Sequence, residues 1–440
     1  MGGEAARRGR GRIRTAPAFG ERPRRKINSM KIKLTAGPPA YGGYTVARLD
    51  GKVVMLRGAI PGETVEAEVL QEKKDYSVAE AIKILEPSPE RVEPPCPYFG
   101  VCGGCQVQYA SYPMQVGLKE EVLKSALRRI GKMEVTLSEP LTGHPWNYRH
   151  RGQFKISGGR VGYFREHSRD LVDISSCPLM VDGINEAFIN AKRLLKNTDA
   201  QELHICRGDK NLALIKVPSS TRHVWKDVCR DLLEGGLQGV RVEVEGKRPL
   251  LFGAAKLDLD LDGVKYSVSP ESFFQANWSL NRALVDLVLE SLKPVAGKAV
   301  LDLYSGAGNF SVPVSRLAGK VVAVEEGRSS VKDGKENVRL NKIENCEFVS
   351  VSVDGFNIRE KFDAVIADPP RAGISEAGIG KILSTMPGRI AYVSCNPATL
   401  ARDLNKFQDD YSVESLRMVD FFPQTYHIEA FALLTRRRRS

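Results

Sequence analysis

Several things are missing from this 440-residue chain, and each absence narrows its function. No apolar run reaches the roughly 18 residues that span a bilayer, and no signal-peptide core follows the basic N-terminus. The expectation is therefore a soluble, cytoplasmic protein with no membrane partner. There is no G-x-G-x-x-G run for a pyrophosphate and no G-K-[ST] for a triphosphate, which disfavours NAD and ATP. No repeat of solenoid period is visible. Histidine is scarce, and the six (144, 150, 167, 204, 223, 427) show no metal-ligand spacing. His427 falls two residues before Glu429, but core or surface placement is the expectation for it.

The net charge of +12 is uneven. Residues 1–30 hold nine Arg/Lys and two Glu, and Arg436 to Arg439 add four more positive charges, so the body between is nearly neutral. RRGRGRIR and ERPRRK read as a disordered basic arm over 1–30 and RRRRS as a basic tail over 436–440. Such tails attract phosphate without showing that the folded part does. Met30 is an alternative start, and a transit peptide is disfavoured by the scarcity of serine, Ser29 alone, and by the lack of a clear amphipathic face.

Length alone predicts two or three domains. Over 31–90, short alternating runs broken at Asp50-Gly51 and Pro61-Gly62 predict four or five strands, compatible with an OB-like barrel. The proline-rich EPSPERVEPPC closes it. A helix is predicted over 113–131, and 91–270 as a whole reads as an α+β region. From 271 to 435 helices and strands alternate, which argues for a mostly parallel sheet covered on both faces, a Rossmann-like α/β domain.

Motifs follow. LDLYSGAGNFS (301–311) reads as strand, glycine loop and helix, with Gly306 and Gly308 letting a ligand approach the backbone. Glu325 follows Gly306 by nineteen residues, at the end of the next strand, where an acid accepts from ribose hydroxyls. S-adenosylmethionine, which carries no phosphate, is favoured. DPPRAG (368–373) is a stiff turn at the sheet rim; its Asp368 is either a solvated cap or a partner for a base's N–H edge. Cys395 in VSCNPATLARDL is either a packed small hydrophobe or a nucleophile. Cys96, Cys102 and Cys105, with Cys177 as a distant fourth, suit a [4Fe–4S] cluster or tetrahedral zinc. Cys206, Cys229 and Cys346 read as core.

LDLYSGAGNF, DPPRAG, VSCNPATLARDL and FPQTYHIEA together closely resemble the S-adenosylmethionine-dependent RNA 5-methyluridine methyltransferases. GGYTVARLDGKVVMLRGAIPGETVEAEV resembles the TRAM domain, an OB-type RNA-binding module, and PSPERVEPPCPYFGVCGGCQVQ the family's iron–sulfur segment. The resemblance implies Cys395 as nucleophile and Glu429 as proton-abstracting base. It implies Gln275, Tyr304, Gly306, Gly308, Asn309, Glu325 and Asp368 around the cofactor, and Phe273 and Arg371 at the target base. It favours iron–sulfur over zinc at Cys96, Cys102, Cys105 and Cys177. Ser352 and Asp354 are rival candidates near the adenine. The expected partner is RNA, 23S ribosomal RNA before tRNA, acted on by a monomer. The competing reading is a non-catalytic RNA-binding ribosome-assembly factor. For the chemistry, a lowered Cys395 pKa and a raised Glu429 pKa are expected.

Overall fold

A computed structural model describes residues 31–221 and 225–438. The basic arm over 1–30 lies outside these residues, as do His223 and the last two positions of the tail. The tail's first two arginines are not loose: Arg436 ends a strand, and the Arg437 side chain donates to the carbonyls of Gln408 and Tyr411.

Residues 31–86 form one six-stranded sheet, one or two strands more than the alternation predicts, because Pro39–Ala40 adds a short edge pairing. Its inward residues, among them Leu34, Val54, Leu56, Val65, Ala67 and Ala79, make a small core of their own. Glu63 is buried at its base. Arg91 grips both carboxylate oxygens at 2.6 Å, and the amides of Ile60 and Ser88 donate as well. Burial alone would raise its pKa, yet Arg91 and those amides hold it below the ordinary value. The proline-rich segment is thereby fastened to the β-domain.

The cysteine loop comes next, then a helix at Tyr112–Ala126 that continues as a wider turn over Leu127–Gly131. Ser111 caps it and Pro113 occupies its first turn. Val122, Leu123 and Leu127 pack into the core of the C-terminal sheet, so this helix belongs to the catalytic half in space. Residues 151–253 build a seven-stranded sheet backed by helices Asp182–Leu195 and Trp225–Glu234. Cys206 and Cys229 are buried and Cys346 partly so. The hairpin Leu257–Leu261/Val264–Val268 lies in the core of the C-terminal domain, ahead of residue 271.

The C-terminal sheet positions the site. Its strands are β1 (Ala299–Leu303), β2 (Lys320–Glu325), β3 (Cys346–Ser350), β4 (Ala364–Ala367), β5 (Arg389–Ser394), β6 (Tyr411–Val419) and β7 (Glu429–Arg436). They lie in the order 3-2-1-4-5-7-6, with β1 to β5 parallel and β7 antiparallel to both neighbours. The strands read as near-continuous apolar runs because both faces are covered. The chain order reverses between β1 and β4, and ligands of such sheets bind at the carboxyl ends beside that switch. LDLYSG leaves β1 there, Glu325 ends β2, DPPRAG leaves β4 and Cys395 leaves β5. Because β7 runs the other way, its first residue, Glu429, arrives at the same edge.

Candidate active site

Phe273, Gln275, Tyr304, Gly306, Asn309 and Asp368 line one cavity of about 50 Å³ at this edge. Tyr304 bends the chain out of β1 with φ +62°, a left-handed conformation that tyrosine seldom adopts. Glu325 stands on the next strand: its Oε2 accepts from the Gly306 amide at 3.0 Å and its Oε1 from Gly327 at 2.7 Å. Both oxygens are thus fixed, with lone pairs left for two hydroxyls. Gly308 does not line the cavity. It sits at φ +96° where a Cβ would stand 2.6 Å from Val312, so its role is to let the loop pack.

Sequence reading missed the groups that brace this cavity. Asn281 exchanges two amide hydrogen bonds with Asn309, at 2.7 and 3.0 Å. Buried Asp333 accepts from Lys256, from the amide and hydroxyl of Ser269, and from the hydroxyl of Ser272. It fixes the start of the segment that delivers Phe273 and Gln275. Asp302, fully buried at the end of β1, takes the Ser311 hydroxyl on one oxygen while the other has no partner. Burial pushes its pKa up to about 7, with Asp368 and Glu325 adding repulsion. Asp368 is likewise raised to about 7 by burial. Of the adenine candidates, Ser352 caps a short turn through the Gly355 amide, and Asp354 accepts the Ser375 hydroxyl.

The second half of the site is built on helix Pro397–Phe407. Asn396 caps it by accepting the Ala398 amide at 3.0 Å, and the same side chain donates to the Arg371 carbonyl at 3.1 Å. Thr399 donates to that carbonyl too, and Arg402 donates to Ala372. Buried Asp403 accepts from Ile374 and Tyr392 at 2.8 and 2.7 Å. Gly373, at φ +77°, leaves no room for a Cβ, which would stand 2.4 Å from the Asp403 carboxylate. DPPRAG is therefore bolted to the helix behind Cys395, and Arg371 is held where its charge acts on both Cys395 and Glu429. The Asp403–Gly373 contact carries no local sequence signal.

Cys395 is half-buried. Burial, then Glu429 and Asp368, push its pKa up to about 12 against the opposing pull of Arg371. The expectation of a lowered value fails: two carboxylates and desolvation outweigh one guanidinium and a helix N-terminus. Burial raises Glu429 well above the ordinary range, as the proposed base requires. His427 is not placed as expected either. Arg371 Nη2 lies 3.2 Å from its Nδ1, which must accept because a guanidinium only donates. Burial and the cations Arg371, Lys119 and Arg149 drive its pKa down to about 4, so it is a neutral ring against Arg371.

A family model described as tRNA (uracil-5-)-methyltransferase matches residues 254–437. An RNA methyltransferase of Aquifex aeolicus is 35% identical over 418 residues, covering 92% of this chain and 98% of its own. A 23S rRNA (uracil(1939)-C(5))-methyltransferase of Alkalilimnicola ehrlichii is 31% identical over 94% and 99% of the two chains. The chain belongs to the RNA uracil-C5 methyltransferases. A solved structure of Pyrococcus abyssi tRNA (uracil-54, C5)-methyltransferase, in complex with S-adenosyl-L-homocysteine, superposes with TM-score 0.74 at 25% identity. It covers 91% of this chain and 99% of its own. As a member of this family the protein is a SAM-dependent RNA-modifying enzyme, and the non-catalytic reading is set aside. Among the described residues no helix is long and apolar enough to cross a membrane.

Cys96, Cys102, Cys105 and Cys177 line a separate cavity of about 60 Å³. Burial raises Cys102 to about 11, Cys105 to about 12, and Cys177 in the same direction. Among the described residues no group of three or more His, Cys, Asp or Glu is disposed to hold a metal ion as it stands.

Proposed function

We propose that the enzyme methylates C5 of a uridine in 23S ribosomal RNA through a covalent Cys395 adduct. The observation that carries the mechanism is the convergence of Cys395, Glu429, Arg371 and Asp368 on one rim beside the cofactor cavity. S-adenosylmethionine supplies the electrophilic methyl group, held by Gln275, Tyr304, Gly306, Asn309 and Glu325. Phe273, 64% exposed at the cavity mouth, offers its ring to the uracil. As the S–C6 bond forms, the thiol gives its proton to solvent water, and the C5=C6 pair moves to C5 and O4, where Arg371 offsets the charge. C5 then takes the methyl group. Glu429 removes the C5 proton, the C5=C6 bond returns, and the C6–S bond breaks to free Cys395.

The four cysteines fit a [4Fe–4S] cluster. Four thiols converge on one cavity, where burial raises the pKa of Cys102, Cys105 and Cys177, and a polynuclear cation would draw off thiol protons there. Its work there is structural. The six-stranded domain is the RNA-gripping module that a TRAM assignment implies. For the RNA, the 23S-specific relatives at 31–33% identity outweigh the 25% identical tRNA enzyme. Labelled S-adenosylmethionine with unmodified 23S fragments and with tRNA, followed by mapping of the modified base, tests this. One 5-methyluridine in 23S RNA is expected; labelling of cytosine, or of tRNA alone, overturns it.

A further inference from the structure

The β-domain reaches the catalytic edge. Its turn between Pro39–Ala40 and Tyr44–Leu49 passes through Gly42 at φ +98° and Gly43 at φ +78°. A Cβ on Gly43 would stand 3.2 Å from the Gln106 Cβ and 3.6 Å from the Tyr426 Cβ, so this turn is packed onto the segment that leads into Glu429. From it Tyr41 projects with its ring centroid 5.5 Å from that of Tyr426, edge to face at 83°. Tyr426 in turn leans on His427 at 4.4 Å, and His427 holds Arg371. A row of flat groups thus runs from the β-domain to the guanidinium beside Cys395.

Tyr41 remains 39% exposed, more than a ring kept only for packing needs. Through Tyr426 and His427 its ring stands in line with Arg371, and its hydroxyl lies within electrostatic reach of Arg371, Cys395 and Glu429. Extruding a uridine unstacks its neighbours, at a cost of a few kcal/mol. An exposed ring recovers about 1–3 kcal/mol for each base it stacks. Phe273 lies at the cavity mouth and serves the target ring. That leaves the tyrosine step without a role in the chemistry.

We propose that Tyr41 is a substrate-contacting residue: it stacks the nucleotide base adjoining the extruded uridine, so that the β-domain forms part of the active site. This rests on the reading of the enzyme as an RNA uridine methyltransferase. The test uses a short RNA carrying the mapped uridine with 2-aminopurine on its 5′ or 3′ side. On binding, wild type, Tyr41→Phe and Tyr41→Trp are expected to quench the probe on one side, whereas Tyr41→Ala leaves it bright. Tyr41→Ala should also lower kcat/KM for RNA about ten- to a hundredfold, with S-adenosylmethionine affinity unchanged by calorimetry. Equal quenching by Tyr41→Ala and wild type overturns the proposal, as does a Tyr41→Phe enzyme as weak as Tyr41→Ala. A Tyr41→Ala protein whose cofactor binding and melting temperature fall in step with its activity also overturns it, because the ring then only packs. Should wild type bind this RNA and methylate nothing, the functional reading fails, while the quenching comparison still decides the stacking.

Discussion

In the proposed mechanism Cys395 starts as a neutral thiol, its pKa pushed up to about 12, and Glu429 is a carboxyl whose proton is held well above the ordinary range. Both facts act on rate in the same direction. The thiol must lose a proton to attack, and the glutamate must already have lost one to act as base, so rising pH favours each. We expect log(kcat/KM) to climb between about pH 6 and 9 with a slope above one, since two groups must lose protons. A glutamate at its ordinary value would have finished titrating below that window and would leave only the thiol's slope of one. A profile flat across it contradicts the raised values. Wild type and Glu429→Gln should share the thiol's dependence when adduct formation, not turnover, is followed.

The segment Phe421–Ile428 decides where Glu429 stands, and its fastening is an affair of whole elements. The helix Tyr112–Ala126 sends Lys119 to Asp420 at 2.6 Å and to the Phe422 carbonyl at 2.9 Å, and Gln115 to the side chain and amide of Gln424. The cysteine loop adds amides of Gln106 and Val107 donating to the Gln424 carbonyl. Tyr148 donates to Pro423. Lys119 and Asp420 are both buried, and removing one partner of such a pair costs about 3–5 kcal/mol. Lys119→Met should therefore unfold at markedly lower urea and lose kcat, while the folded protein still binds S-adenosylmethionine. Unchanged urea stability would show that the pair is not the clamp.

These clamps explain what the sequence disclosed and what it withheld. The apolar strands, the glycine loop with Glu325, DPPRAG and the Cys395 segment were legible because each is a local pattern tied to a local geometry. Lys119 to Asp420 spans 301 residues, and Asp333 to Ser269 spans 64, so neither leaves a periodic mark. Tyr41 belonged to an apparently separate domain, and His427 read as a core or surface residue. The direction of the Cys395 shift escaped for the same reason: it follows from burial first and then from the carboxylates that converge there, which only the fold states.

At the scale of the molecule, the cofactor edge is a source of instability. Asp302 is fully buried with a pKa near 7 against 3.8 in an unfolded chain, so between those values the folded state holds the extra proton. Stability contributed by this group therefore falls as pH rises from about 4 to 7, and the cost is fully present above it. Asp302→Asn should raise stability at pH 8 by on the order of 2 kcal/mol, with a smaller gain at pH 5, and weaken cofactor binding. Equal gains at both pH values would show that ionisation is not the cause.

In the proposed mechanism the whole arrangement, β-domain turn, cysteine loop and helix Tyr112–Ala126 gathered round one edge of the sheet, serves a single bond between Cys395 and uracil C6. A 5-fluorouridine at the mapped position blocks removal of the C5 substituent and should trap that bond after methyl transfer. Intact-mass and peptide mapping of the wild-type enzyme with this RNA and S-adenosylmethionine are expected to find the methylated nucleotide on the peptide containing Cys395, and none with Cys395→Ala. An adduct on another cysteine, or full methylation of ordinary RNA by Cys395→Ala, would contradict the account.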